Sequence, residues 1–126
     1  MFRRNVGLVF LVSVLLGGAC NAADPSGRWV GGWYSQPSGH NGPLRARVRQ
    51  VDDDTYRALF VGRFAKVIPF VYPAKLERVP GTCNQYQSSM RLPLFGRYNM
   101  TASVSSRNFH AEFRGRNDRG VFRLSR

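Results

Sequence analysis

From Gly27 onward, apolar and polar residues alternate with a period of two, in short runs separated by turn residues, and no stretch carries a helical period. The first run, Gly27 to Ser35, sets Trp29 and Trp33 on one face with Gly31 between them, and the Pro-, Gly- and Ser-rich stretch Gln36 to Gly42 ends it. In the second, Leu44, Ala46 and Val48 point one way and Arg45, Arg47 and Arg49 the other; Asp52-Asp53-Asp54 makes the turn. The third sends Tyr56, Ala58, Phe60 and Phe64 inward, with Arg57 and Arg63 outward. Pro69 bounds a fourth, whose inner face holds Phe70, Tyr72, Ala74 and Leu76. Tyr86, Ser88, Met90 and Leu92 form a fifth, closed by Pro93 and Gly96. Tyr98, Met100, Ala102 and Val104 form the sixth, Phe109, Ala111 and Phe113 the seventh, and Phe122 and Leu124 the eighth. Between the last two, Arg116-Asn117-Asp118-Arg119 has hairpin chemistry, and a tight turn there sets Glu112 opposite Arg123.

About eight strands joined by short turns predict an all-β domain, a single antiparallel up-and-down meander that closes or nearly closes into a small barrel. The inner row is bulky, so the expected barrel is filled by its own side chains. A hollow barrel holding one small ligand is the alternative. An outer-membrane barrel is excluded by the placement of charge. The large apolar residues share one face while Arg45, Arg47, Arg49, Arg57, Arg97 and Arg123 occupy the other, and an arginine facing lipid at mid-bilayer costs about 2–4 kcal/mol.

Residues 1–23 read differently. Arg3 and Arg4 precede an apolar run from Val6 to Leu16, and small residues follow through Ala23. This is the layout of a secretory signal peptide, with the best cleavage positions after Ala22 or Ala23. Residues 24–126 are then one exported domain, periplasmic or extracellular. The run falls short of the about 20 apolar residues a spanning helix needs, so no transmembrane span is expected in the mature protein. The rival reading is a lipoprotein site that would leave Cys20 acylated and the domain tethered. If the signal is cut after Ala22, Cys83 is alone in the mature chain, within the turn Pro80 to Asn84, and is expected to be incidental rather than paired or reactive.

Charge narrows the partners. The chain carries 19 Lys and Arg against 7 Asp and Glu, a net charge of +12, and every basic residue except Lys66 and Lys75 is arginine. With the turn centred on Asp53, residues whose numbers sum to 106 face each other across the second and third strands, which places Arg49 opposite Arg57. Like charges in that position repel. Either Asp52 and Asp54 neutralise them locally, or the pair is an anion seat. Arg63 and Lys66, in the basic and aromatic corner Gly62 to Phe70, extend the candidate anion-binding set to Arg45, Arg47, Arg49, Arg57, Arg63 and Lys66.

Other chemistry is sparse. His40 lies in a Gly- and Pro-rich loop and His110 on a late strand, remote from each other and from any obvious carboxylate, so both are read as surface residues rather than metal ligands. Asp52-Asp53-Asp54 lacks the alternating spacing and glycine of a calcium loop. No nucleophile with its base and no phosphate loop is found, which points away from an enzyme and implies no cofactor.

The segment Gly27-Arg28-Trp29, followed by Gly31 and Trp33 at the head of the meander, resembles the start of calycin-type barrels, the lipocalin and avidin group. It is also similar to small exported bacterial domains of the G-x-W-x-G-x-W type. The calycin resemblance implies that Trp29 closes the barrel base and that Arg123 or Arg126 packs across it. It further implies a carrier of a small apolar ligand, with Trp29, Trp33, Tyr56 and Tyr72 as lining. The residues themselves lead first to another expectation: a non-enzymatic exported barrel that binds an anionic polysaccharide or other envelope polymer through its basic surface. Nucleic acid would suit the charge alone, but the export signal speaks against it.

Overall fold

A computed structural model describes residues 23–64, 68–92 and 96–126. The signal segment through Ala22, the Cys20 acylation site and Lys66 therefore lie outside the described residues. Eight strands follow in chain order: β1 (Gly27–Ser35), β2 (Asn41–Asp52), β3 (Thr55–Phe64), β4 (Ile68–Arg78), β5 (Gln85–Leu92), β6 (Gly96–Val104), β7 (Asn108–Arg114) and β8 (Arg119–Ser125). Each pairs antiparallel with the next, and β8 returns to β1, closing an up-and-down barrel. No helix among the described residues is long and apolar enough to cross a membrane.

Alternation decides what is inside. Trp29, Leu44, Phe60, Leu76, Tyr86, Met100 and Phe109 are fully buried, and Trp33, Tyr56, Tyr72, Phe113, Phe122 and Leu124 join the same core. Phe70, Met90, Leu92 and Tyr98 are only partly buried and pack against it. Edge-to-face pairs fill the interior: Trp29 with Phe109 at 5.5 Å between centroids, Tyr56 with Tyr86 at 5.6 Å, and Phe60 with Tyr72 at 6.1 Å. Such pairs add to the gain from burial, which is about 1.5–3 kcal/mol for a large apolar side chain.

Closure between β1 and β8 depends on missing side chains. A Cβ built on Gly31 would lie 1.8 Å from the Arg123 carbonyl oxygen, and one on Gly120 would lie 1.9 Å from that of Tyr34. Only glycine lets these backbones approach so closely. At the barrel base the Trp29 indole N–H donates to the Pro25 carbonyl at 2.9 Å. Of the two arginines proposed to cover that tryptophan, Arg126 does so, its guanidinium carbon 4.1 Å from the ring centroid.

The hairpin register of β2 and β3 follows the expected sum, with Arg49 facing Arg57, up to an irregularity between Gln50 and Asp52. The register of β7 and β8 does not. Glu112 faces Val121, and Arg123 faces His110 instead. The loop is wider than a two-residue turn: Arg114 pairs Arg119, and the Gly115 N–H donates to the Asp118 carbonyl at 2.7 Å. That shifts the centre of the hairpin by one residue and removes Glu112 from Arg123.

One seam is thin. Among the described residues, β4 and β5 pair only at Glu77 with Gln87 and Arg78 with Tyr86. Val79 N–H donates to the Gln85 carbonyl and Arg78 N–H to the Asp54 carbonyl, at 2.9 and 2.8 Å. Carried back along β4, that alternation turns the odd-numbered residues toward β5. Pro69 and Pro73 are odd-numbered and have no N–H to give, so the ladder lacks donors where it opens.

Cys83 is disulfide-bonded in the full chain. The expectation of a lone, incidental Cys83 concerns the chain cut after Ala22, which has lost Cys20, the other cysteine of the sequence.

Candidate anion-binding interface

β2 presents Leu44, Ala46 and Val48 to the core, so Arg45, Arg47 and Arg49 stand exposed on the outer face. Successive outward positions on one strand are about 6.5–7 Å apart, and neighbouring strands about 4.8 Å. Register then assembles three rows. Arg49, Arg57 and Lys75 face one another across β2, β3 and β4. Arg28, Arg47, Leu59 and Pro73 form the next row across β1 to β4, and Val30, Arg45, Val61 and Val71 the third. No acidic residue stands in any of them.

Arg45, Arg47, Arg49 and Arg57 are therefore one cluster, as the sequence indicated. Arg63 is exposed at the end of β3, opposite Pro69 and beside the third row rather than within it. The alternation that buries Trp29 also turns Arg28 outward, yet its place beside Arg47 needs the β1–β2 register, and Lys75 needs that of β3–β4. Both were missed for that reason. The exposed aliphatics were missed too: Val30 is 60% exposed, Leu59 44% and Val71 56%. A groove of about 470 Å3 runs between Arg28, Val30, Arg45, Arg47, Leu59 and Val61.

The turn acids make no contact ion pair with Arg49 or Arg57 among the described residues. Asp54 pairs with Arg78 at 3.2 Å, and Arg78 also donates to the Asp53 and Cys83 carbonyls. Asp52 is held below its ordinary carboxylate range by the Asp54 N–H and by Thr55, with Lys75 adding a smaller electrostatic pull. Its carboxylate thus serves the turn. No ion pair among the described residues involves Arg49 or Arg57.

The residues of the alternative ligand site lie elsewhere. Trp29, Trp33, Tyr56 and Tyr72 are core side chains, at most 8% exposed. Trp33 donates from its indole N–H to the Arg63 carbonyl at 3.0 Å and meets Phe70 edge-on. Burial pushes the Tyr72 hydroxyl up to about 12. At one end of the barrel a polar hollow of about 350 Å3 is lined by Ser35, Ser38, Tyr98, Arg116 and Asp118 among others. Its Asp118 carboxylate accepts from Ser35 at 2.6 Å and from Tyr98 at 3.3 Å, and these bonds tie the β7–β8 hairpin to the end of β1. His40 is exposed and His110 half-buried, and no three metal-ligating side chains gather among the described residues. Compared with known proteins, the chain matches no family model and no curated protein.

Proposed function

We propose that this barrel is an exported, non-enzymatic binding domain whose basic outer face takes an anionic envelope or extracellular polymer. One observation carries the reading: Arg45, Arg47 and Arg49 are exposed on alternate positions of one strand, with Arg28, Arg57 and Lys75 beside them in register and no acid among them. Arginine suits the task because its planar fork grips sulfate, phosphate or carboxylate in two places. The carrier reading is weaker because its lining residues are buried in the packed core.

The test is the affinity for a fluorescently labelled sulfated polysaccharide across a salt series. Binding through six clustered cations (Arg28, Arg45, Arg47, Arg49, Arg57 and Lys75) should weaken steeply, because exposed charges are screened over about 8–10 Å at physiological ionic strength. A salt-independent affinity would contradict it.

A further inference from the structure

We propose that the same face also seats on a lipid surface, a bilayer rich in acidic phospholipid headgroups, with its β3–β4 side among them. The inference rests on the reading of the face as an anion-binding surface and asks which anion also accounts for its apolar half.

Leu59 and Val61 on β3 face Pro73 and Val71 on β4, forming an aliphatic block four residues in size. Arg47 and Arg45 border it on the β2 side, Arg57 and Lys75 above, and Arg63 below. Val30, beyond Arg45, is 60% exposed, and Leu59 and Val71 are 44% and 56% exposed. An apolar patch rimmed by cations is more than charge alone requires. A sulfated or carboxylated polysaccharide is polar along its length and gives leucine and valine nothing to bury against. A lipid surface offers both halves: phosphate oxygens for the arginine forks, and the boundary between headgroup and acyl chain for the aliphatics. The long arginine stems allow this, since they lie along apolar surface while their heads stay with the phosphates.

A protein partner added as a strand is the competing occupant, and the fold disfavours it. The edge of β4 that borders the patch is the one at which Pro69 and Pro73 remove N–H donors, which blunts it for strand addition. The charge complementarity is to a broad negative surface, with no acid in the three rows to orient a mixed-charge partner.

Sedimentation with vesicles tests the proposal, using phosphatidylcholine alone and phosphatidylcholine with an equal part of phosphatidylglycerol. Two variants are compared with the parent, Leu59→Thr/Val71→Thr and Arg45→Gln/Arg47→Gln/Arg49→Gln, alongside retention on heparin. Threonine keeps the strand preference, and Val30→Thr provides an independent variant should the double one misfold by circular dichroism. We expect the parent to sediment with the acidic vesicles only, the aliphatic variant to lose about tenfold in partition with unchanged heparin retention, and the arginine variant to lose both. Failure of the parent to bind acidic vesicles, or equal partition of parent and aliphatic variants, overturns the lipid inference. Loss of heparin retention in a folded aliphatic variant also overturns it. The polymer reading is judged separately, by whether heparin still separates the parent from the arginine variant.

Discussion

Arg126 lies over the indole of Trp29, 4.1 Å from its ring centroid, and the same guanidinium donates to the carbonyls of Ser106, Ser26 and Asp24. One side chain from the end of the chain thus joins the barrel base, the loop before β7 and the segment leading into β1. Cation–π contact and charged hydrogen bonds each contribute about 0.5–3 kcal/mol and are not additive. Arg126→Ala should therefore lower unfolding stability by about 1–3 kcal/mol, with Arg126→Lys recovering only part because it lacks the fork. The midpoint of urea unfolding reads this directly.

Gly31 is a second weak point, and for steric reasons. A methyl group there would sit 1.8 Å from the Arg123 carbonyl, and backbone on a closed seam has little room to retreat. Gly31→Ala should cost about 1–3 kcal/mol or more, while Gly39→Ala, in an open turn where an added Cβ meets nothing within 4 Å, carries only the strain of its positive φ. Thermal unfolding of the two variants should place Gly31→Ala well below Gly39→Ala.

Alkaline pH should loosen the core. Burial raises the hydroxyl of Tyr72 to about 12, and those of Tyr56, Tyr86 and Tyr98 are raised as well, burial again the largest cause. The folded state favours the neutral phenol, so its contribution is fully present below the ordinary value of 10.0 and is lost as pH rises from there toward about 12. Tyr72→Phe removes a buried hydroxyl that meets no hydrogen-bond partner among the described residues. It should be neutral or stabilising at pH 7 and should flatten the alkaline fall. Urea midpoints measured between pH 8 and 11 for both proteins check the sign.

Processing is open to a direct check. Small residues at Ala22 and Ala23 suit signal peptidase, so intact-mass analysis of exported protein should find an N-terminus near Asp24. A diacylglyceryl-modified Cys20 would contradict this.

The inner face was legible because burial imposes a period of two: Trp29, Phe60 and Phe113 declare their side by their neighbours. The β2–β3 register was legible because the Asp52 to Asp54 turn fixes its centre. Between β7 and β8 the same reasoning failed, since Gly115 through Asp118 form a wider loop whose closure depends on the Gly115 N–H and on bonds from Ser35 and Tyr98 to Asp118. The thin β4–β5 seam was hidden for a different reason. Pro73 shows in the sequence, but not which neighbouring strand its missing N–H would have served. The basic face was half legible. Arg45, Arg47 and Arg49 share one strand, whereas Arg28, Lys75, Leu59 and Val71 reach it only through cross-strand register.

The central proposal is positional: anion binding is assigned to the clustering of arginines on this face, and not to the +12 that the chain carries overall. The direct measurement compares heparin elution salt for two variants that lose equal charge, Arg45→Gln/Arg47→Gln/Arg49→Gln on the face and Arg91→Gln/Arg107→Gln/Arg114→Gln at exposed positions on β5, the β6–β7 loop and β7. The account predicts much earlier elution for the first and nearly parental elution for the second. Equal elution of the two variants would contradict it.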